Sequence, residues 1–388
     1  MHDSIIFLFF LIFSGAAVFA TAALYARQAL LIAYIALGLL LGPAGVNLVP
    51  DPALVADIAN VGIIFLLFLL GLNLEPADLG KLFREAVVVT CLSCLGFAAF
   101  GYVVAWAFGF GMTDSLLIAA ACMFSSTIIG LKLLPTSALH HQRMGEIIVS
   151  ILLLQDLVAI AILLLLQGLS QPGDPALAVA KLAILLPTLL GAAWLLSRYA
   201  LHRLIAKFDQ IQEYVFLLAI GWCLGMAELA GALGLSHEIG AFVAGITLAA
   251  NPIARYIAES LKPLRDFFLI MFFFALGAGF NLDLVADVWV PAVILAGGLL
   301  VLKPWVFTLL LRREQEKANV AREIGVRMGQ ISEFTLLIAL VGTATGFLSE
   351  RAAGLVQAAT VLSFLVSSYW IVARYPTPIA VDDRLRRD

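Results

Sequence analysis

A chain of 388 residues that is 63% hydrophobic and only 13% charged, with a mean hydropathy of +1.05, lies far from the make-up of a soluble globular domain. Long apolar stretches cover almost its whole length and leave no segment able to fold as a sizeable aqueous domain. The formal net charge of −3 gives no nucleic-acid footprint, and Cys91, Cys94, Cys122 and Cys223 all fall inside apolar stretches, so no disulfide framework is expected.

The pattern predicts an all-α polytopic membrane protein with thirteen spans, at about 4–25, 29–42, 55–72, 84–108, 114–134, 144–167, 176–200, 213–229, 236–250, 263–279, 287–311, 321–345 and 351–373. Ala20, Thr21 and Ala22 mimic a signal-peptide cleavage site, but residues 1–4 carry no positive charge and Arg27 follows the apolar run. The first segment is therefore kept as a span with its N-terminus outside. In span 4, Cys91 and Cys94 form a CxxC with no second ligand pair nearby, which suits helix packing better than metal or redox chemistry.

Span 5 carries three hydroxyls in a row, Ser125, Ser126 and Thr127, followed by Gly130. Span 6 carries Asp156 after Gln155, near the centre of an apolar run from Ile151 to Leu166. An ionised side chain there costs roughly 2.5 to 3.5 kcal/mol, so such a residue ordinarily faces a wet cavity, a partner or a transported ion. Gln171 to Pro175 reads as a tight external turn. Glu228, His237 and Glu238 fall at an outer rim, where His237 either tunes a pH response or is simply solvated. His140 and His141 sit in a cytoplasmic loop. Span 11 contains Lys303, and span 12 contains Gly329, Gln330, Ser332 and Glu333.

With the N-terminus outside, 20 of the 23 Lys and Arg residues, including Arg27, Arg143, Arg203, Lys262, Arg312 and Arg327, fall on the cytoplasmic side together with the C-terminus. A weak internal repeat underlies this topology. Phe65 to Glu75 aligns with Phe273 to Asp283 at an offset of 208, and Ile32 to Leu41 with Ile239 to Leu248 at 207. Seven spans separate equivalent helices, so the copies are inverted, a plan in which substrate binds near the midplane on interrupted helices. The chain then divides as one membrane transport domain over 1–388: repeat 1 at about 1–168, a linking helix at about 176–200, repeat 2 at about 213–374, and a short basic tail over 375–388. Asn73 and Asn281 occupy equivalent helix ends.

The same offset pairs Ser125, Ser126 and Thr127 with Glu333, Phe334 and Thr335. Both segments suit unwound backbone lining a cavity, although Ser and Thr can also bond back to their own helix. Asp156, Lys303 and Glu333 share one depth; three isolated charges would cost roughly 8 to 10 kcal/mol, so they are expected to compensate one another in a single site. One Lys cannot neutralise two acids, and the excess negative charge suits a cation.

Gly71 to Glu75, Ser125 to Thr127, Gln155 to Ile160, Gly240 to Gly245, Lys303 and Gly329 to Phe334 run in order through nearly the whole chain. In these motifs the sequence resembles the Kef-type branch of the monovalent cation/proton antiporters, with an NhaA-like fold. The resemblance implies two inverted six-helix repeats, crossing broken helices in spans 5 and 12, a homodimer with dimerisation and moving core domains, and residence in a bacterial inner (plasma) membrane. It implies that Asp156 binds the monovalent cation and the proton in turn, with Gln155, Ser125, Ser126 and Thr127 near the ion; it leans to potassium over sodium, and the sequence itself does not give the ion. Lys303 and Glu333 match the family's intramembrane Lys and second acid, and Ser332 and Gln330 belong to that supporting network. No cofactor and no enzymatic reaction are expected. Kef-type proteins continue into a cytosolic nucleotide-binding domain that this chain does not contain, so it stands alone, is part of a longer protein, or takes a separate cytosolic regulatory subunit. Gln155 stands where some relatives have an acid, which favours one-for-one exchange. Competing readings are a channel-like efflux pathway, a non-transporting sensor, or a sodium-coupled organic-solute symporter.

Overall fold

The computed structural model describes residues 5–26, 28–49, 52–72, 76–134, 143–169, 175–208, 210–235, 237–249, 251, 253–280 and 282–377. Its helices are α1 (Ile5–Tyr25), α2 (Leu30–Leu41), α3 (Pro52–Leu72), α4 (Pro76–Ala107), α5 (Met112–Cys122), α6 (Thr127–Lys132) and α7 (Arg143–Leu169). They continue with α8 (Pro175–Leu196), a π-helical turn (Ser197–Leu201), α9 (His202–Phe208), α10 (Gln212–Ala232), α11 (His237–Ala249) and α12 (Ala254–Ala278). The last four are α13 (Leu282–Arg313), α14 (Ala318–Arg327), α15 (Glu333–Ala344) and α16 (Glu350–Arg374). Asn73, Glu75, Asn281, His140, His141, Gln171 to Asp174 and the tail beyond Thr377 lie outside the described residues.

Helices dominate because hydrocarbon offers backbone N–H and C=O groups no partner, so each segment must satisfy its own. Among the described residues, seven stretches are long and apolar enough to cross a bilayer, from Ile5–Tyr25 to Glu350–Arg374. Five more apolar helices are shorter. At a rise of 1.5 Å per residue, α2 covers about 18 Å, against roughly 30 Å of hydrocarbon.

The chain forms two compact units: residues 1–40, 82–166 and 280–388 make the first, and 41–81 with 167–279 the second. In the second, α3 packs against α11 and α12, and α10 against α11. The α3–α11 crossing is a backbone contact at two glycines. A Cβ on Gly71 would stand 2.5 Å from the Phe242 carbonyl oxygen, and one on Gly245 would strike the Phe68 carbonyl. Stacked Phe65 and Phe268 rings, 5.5 Å apart, join α3 to α12. Ser197, in the π-helical turn, donates to the Thr247 carbonyl at 3.0 Å and ties that helix to α11.

In the first unit, α13 packs against α14 and α16, and α15 against α16 and α5. Phe97 of α4 meets Phe307 of α13 edge to face at 5.4 Å. Gly325 lets α14 approach α13 at Pro304, since a Cβ there would lie 2.6 Å from the Pro304 carbonyl oxygen. That contact places the end of α14 beside Lys303, the residue preceding Pro304.

Candidate functional site

Spans 5 and 12 of the sequence are each two helices with a non-helical gap. Residues 123–126 separate α5 from α6, and 328–332 separate α14 from α15. Each gap exposes backbone groups that a continuous helix would satisfy, and buried side chains take over that duty.

The first gap is braced by Gln155 on α7. Its Oε1 accepts the Ser125 N–H at 2.9 Å, and its Nε2 donates to the Met123 carbonyl at 3.3 Å. The Cys94 thiol donates to the same carbonyl at 3.7 Å. Ser126 caps α6, its Oγ accepting the Ile129 N–H at 3.1 Å. In the second gap, Ser332 caps α15 by accepting the Phe334 N–H at 3.1 Å. Ser363 on α16 accepts the Ile331 N–H at 3.0 Å.

The two gaps are bonded directly to each other. Ser125 Oγ donates to the Met328 carbonyl at 2.8 Å, Gln330 Nε2 to the Ser126 carbonyl at 3.3 Å, and Thr335 Oγ1 to the Ala121 carbonyl at 2.6 Å. Lys303, fully buried, spans both: its ammonium donates to the Phe124 carbonyl, to the Gln330 carbonyl at 3.1 Å and to Ser125 Oγ at 3.4 Å. An ammonium has three donors, so these three acceptors use its capacity. The Phe97 ring lies 5.1 Å from the same nitrogen. In this conformation Lys303 therefore holds a carbonyl of each helix break.

Asp156 lies one residue beyond the Gln155 brace and is 1% exposed. Thr127, the first residue of α6, donates its hydroxyl toward the Asp156 carboxylate, at 3.2 Å from Oδ2 and 3.4 Å from Oδ1. Glu333, the first residue of α15, is also buried. The nine candidate ion-binding and supporting residues of spans 5, 6, 11 and 12 thus fall in one unit around two facing helix breaks. Glu228 and His237, 3.2 Å apart and both exposed, belong to the other unit.

Three residues escaped the sequence reading. Ser363 and Ser367 are buried on α16, and Ser367 donates to Gln330 Oε1 at 2.9 Å. Their signal was an i, i+4 hydroxyl pair in the last span. Arg327, which the positive-inside pattern groups with the cytoplasmic charges and whose span also offers it to Glu333 as a partner, is 1% exposed. It pairs with Glu323 at 2.7 Å and donates to the Leu133 carbonyl at 2.9 Å and the Pro376 carbonyl at 2.8 Å. It thereby ties together the ends of α6, α14 and α16; the i, i+4 Glu323–Arg327 spacing was the available clue.

The family described as sodium/hydrogen exchanger, transmembrane, matches residues 6–373. The iron transporter MagA of Paramagnetospirillum magneticum is 27% identical, over 89% of this chain and 80% of its own length. K(+) efflux antiporter 4 of Arabidopsis thaliana is 30% identical, over 81% of this chain and 54% of its own, so the chain spans about half of that relative. The solved sodium proton antiporter MjNhaP1 of Methanocaldococcus jannaschii superposes with a TM-score of 0.72 at 16% identity, covering 93% of this chain and 95% of that one. That last likeness concerns the fold.

Proposed function

The chain belongs to the sodium/hydrogen exchanger transmembrane family, in its Kef-type branch, a family of transporters rather than enzymes, and from that premise we propose that it exchanges a monovalent alkali cation for protons by alternating access, with Asp156 as the shared seat. The observation that carries the proposal is the Thr127 hydroxyl set on the buried Asp156 carboxylate where two broken helices meet. Either a proton or an alkali cation can neutralise that carboxylate. The neutralised site crosses between inward-facing and outward-facing states and the bare one does not, which makes exchange obligatory.

In this mechanism the cation contacts Asp156 and Thr127, while Gln155, Ser125 and Ser126 shape the backbone around it. Lys303, Gln330 and Ser332 keep the two breaks facing each other, and Glu333 supplies a second negative charge. A carboxylate and a hydroxyl are hard oxygen donors suited to a weakly held alkali cation. The name of the plant relative supports potassium over sodium. The wider frame of the proposal is thirteen crossings in two inverted repeats, a homodimer, and a bacterial inner membrane with the N-terminus outside and the C-terminus cytoplasmic. The test is ΔpH-driven exchange in proteoliposomes with potassium, sodium, rubidium and lithium compared side by side. Accumulation of potassium against its own gradient supports coupled exchange. Cation flux that only ever runs downhill and moves no protons would establish the channel-like alternative.

A further inference from the structure

We propose that Ser367 is a positioning residue for the cation seat, acting from α16 through Gln330 on the first helix break. The inference rests on Asp156 and Thr127 being that seat. Thr360, on the same helix, bonds back to its own chain at Val356, the usual fate of a hydroxyl in a membrane helix. Ser367 does otherwise: its hydroxyl leaves α16 and donates to Gln330 Oε1 at 2.9 Å. Gln330, held by that bond, turns its Nε2 onto the Ser126 carbonyl at 3.3 Å. The same carbonyl accepts the Gly130 N–H at 3.0 Å, the bond that starts α6. The next residue is Thr127, whose hydroxyl meets Asp156.

The relay Ser367, Gln330, Ser126, Thr127, Asp156 therefore runs from a helix with no proposed ion ligand to the proposed seat, and every member but Thr127 is buried. Ser363, one turn earlier on α16, holds a backbone N–H, so its loss would damage the fold of the second break. Ser367 holds only a side chain. Removing its hydroxyl frees the Gln330 amide to rotate and takes one donor from the Ser126 carbonyl, which lets the start of α6 shift against Asp156. The effect belongs on cation affinity and selectivity, with little on turnover.

The experiment is cation-dependent exchange in proteoliposomes for Ser367→Ala, Ser367→Thr, Ser368→Ala and Asp156→Asn, with hydrogen exchange followed over residues 124–133. Ser367→Ala is expected to raise the half-saturating potassium concentration about three- to tenfold, the worth of one hydrogen bond, and to alter the potassium-to-sodium ratio at near-normal maximal rate. It should also speed amide exchange over 124–133. Ser367→Thr keeps the hydroxyl and should restore both values. Ser368→Ala, which removes a neighbouring buried hydroxyl without a hydrogen-bond partner among the described residues, should match wild type. If Ser367→Ala proves unstable, Gln330→Met should give the same affinity shift, and adding it to a stabilised Ser367→Ala should give no further shift. Wild-type affinity, selectivity and amide exchange in Ser367→Ala, with Asp156→Asn inactive, would overturn the positioning role alone. Cation-dependent exchange retained by Asp156→Asn would instead overturn the seat on which it depends.

Discussion

Gln155 separates bracing from ion binding, because both ends of its amide are spent on backbone. Replacing it with Leu keeps a similar volume but strands the buried Ser125 N–H and removes the stronger donor to the Met123 carbonyl. A buried polar group left unsatisfied costs about 1 to 3 kcal/mol, so the pair amounts to about 2 to 6 kcal/mol. The Cys94 thiol also reaches the Met123 carbonyl, as a weak donor at 3.7 Å, which sets the expectation toward the lower half of that range. Gln155→Leu should therefore lower the thermal unfolding temperature of the purified protein by several degrees, followed by loss of monodisperse material on heating. Asp156→Asn keeps an acceptor for Thr127 and removes a buried carboxylate, so it should unfold at or above the wild-type temperature. A Gln155→Leu protein as stable as wild type, with cation affinity as its only defect, would refute the brace and make the amide a direct ion ligand.

Three further outcomes follow from the same geometry. Arg327→Met leaves Glu323 and the Leu133 and Pro376 carbonyls without their donor; the expected loss is about 3 to 5 kcal/mol, as for a broken buried pair, read by thermal unfolding, and an unchanged transition would contradict the staple. Arg327→Lys cannot span the three acceptors and should recover little of that stability. Gly245→Ala drives a methyl into the Phe68 carbonyl and should cost about 1 to 3 kcal/mol by overpacking, seen as reduced yield and earlier unfolding; tolerance of Ala would mean that α3 and α11 are further apart than described. Lowering pH at a fixed gradient should raise the cation concentration for half-maximal exchange while leaving the maximal rate reachable at high cation, because protons and cations compete for one carboxylate. A fall in maximal rate with constant half-saturation would mean that they bind at separate places.

The candidate site was legible in sequence wherever a polar residue broke an apolar run. Asp156, Lys303 and Glu333 are conspicuous because an ionisable group in hydrocarbon needs a reason, and the hydroxyl run at Ser125 to Thr127 with the Gly329 to Glu333 segment marked the two interruptions. Their partners were not legible. Lys303 takes carbonyls as acceptors, and every residue carries a carbonyl, so no sequence pattern names Phe124 or Gln330. Ser363 and Ser367 look like ordinary membrane-helix hydroxyls until α16 is packed against the second break. Arg327 was hidden among many basic residues that the positive-inside rule already explained. The all-helical, apolar character was legible, and among the described residues seven helices are long and apolar enough to cross a bilayer, but α2 and α11 are short for a crossing, and the glycines that let α3 and α11 touch are meaningful only once both helices are in place.

The claim that one carboxylate seats cation and proton in turn is tested most directly by proton release. Adding potassium to the purified, weakly buffered protein near the pH where exchange is half-maximal should release protons saturably, up to about one per chain, and Asp156→Asn should release none while remaining folded. Potassium binding, measured by calorimetry under the same conditions, that releases no proton from the wild type, or equal release from Asp156→Asn, would contradict it.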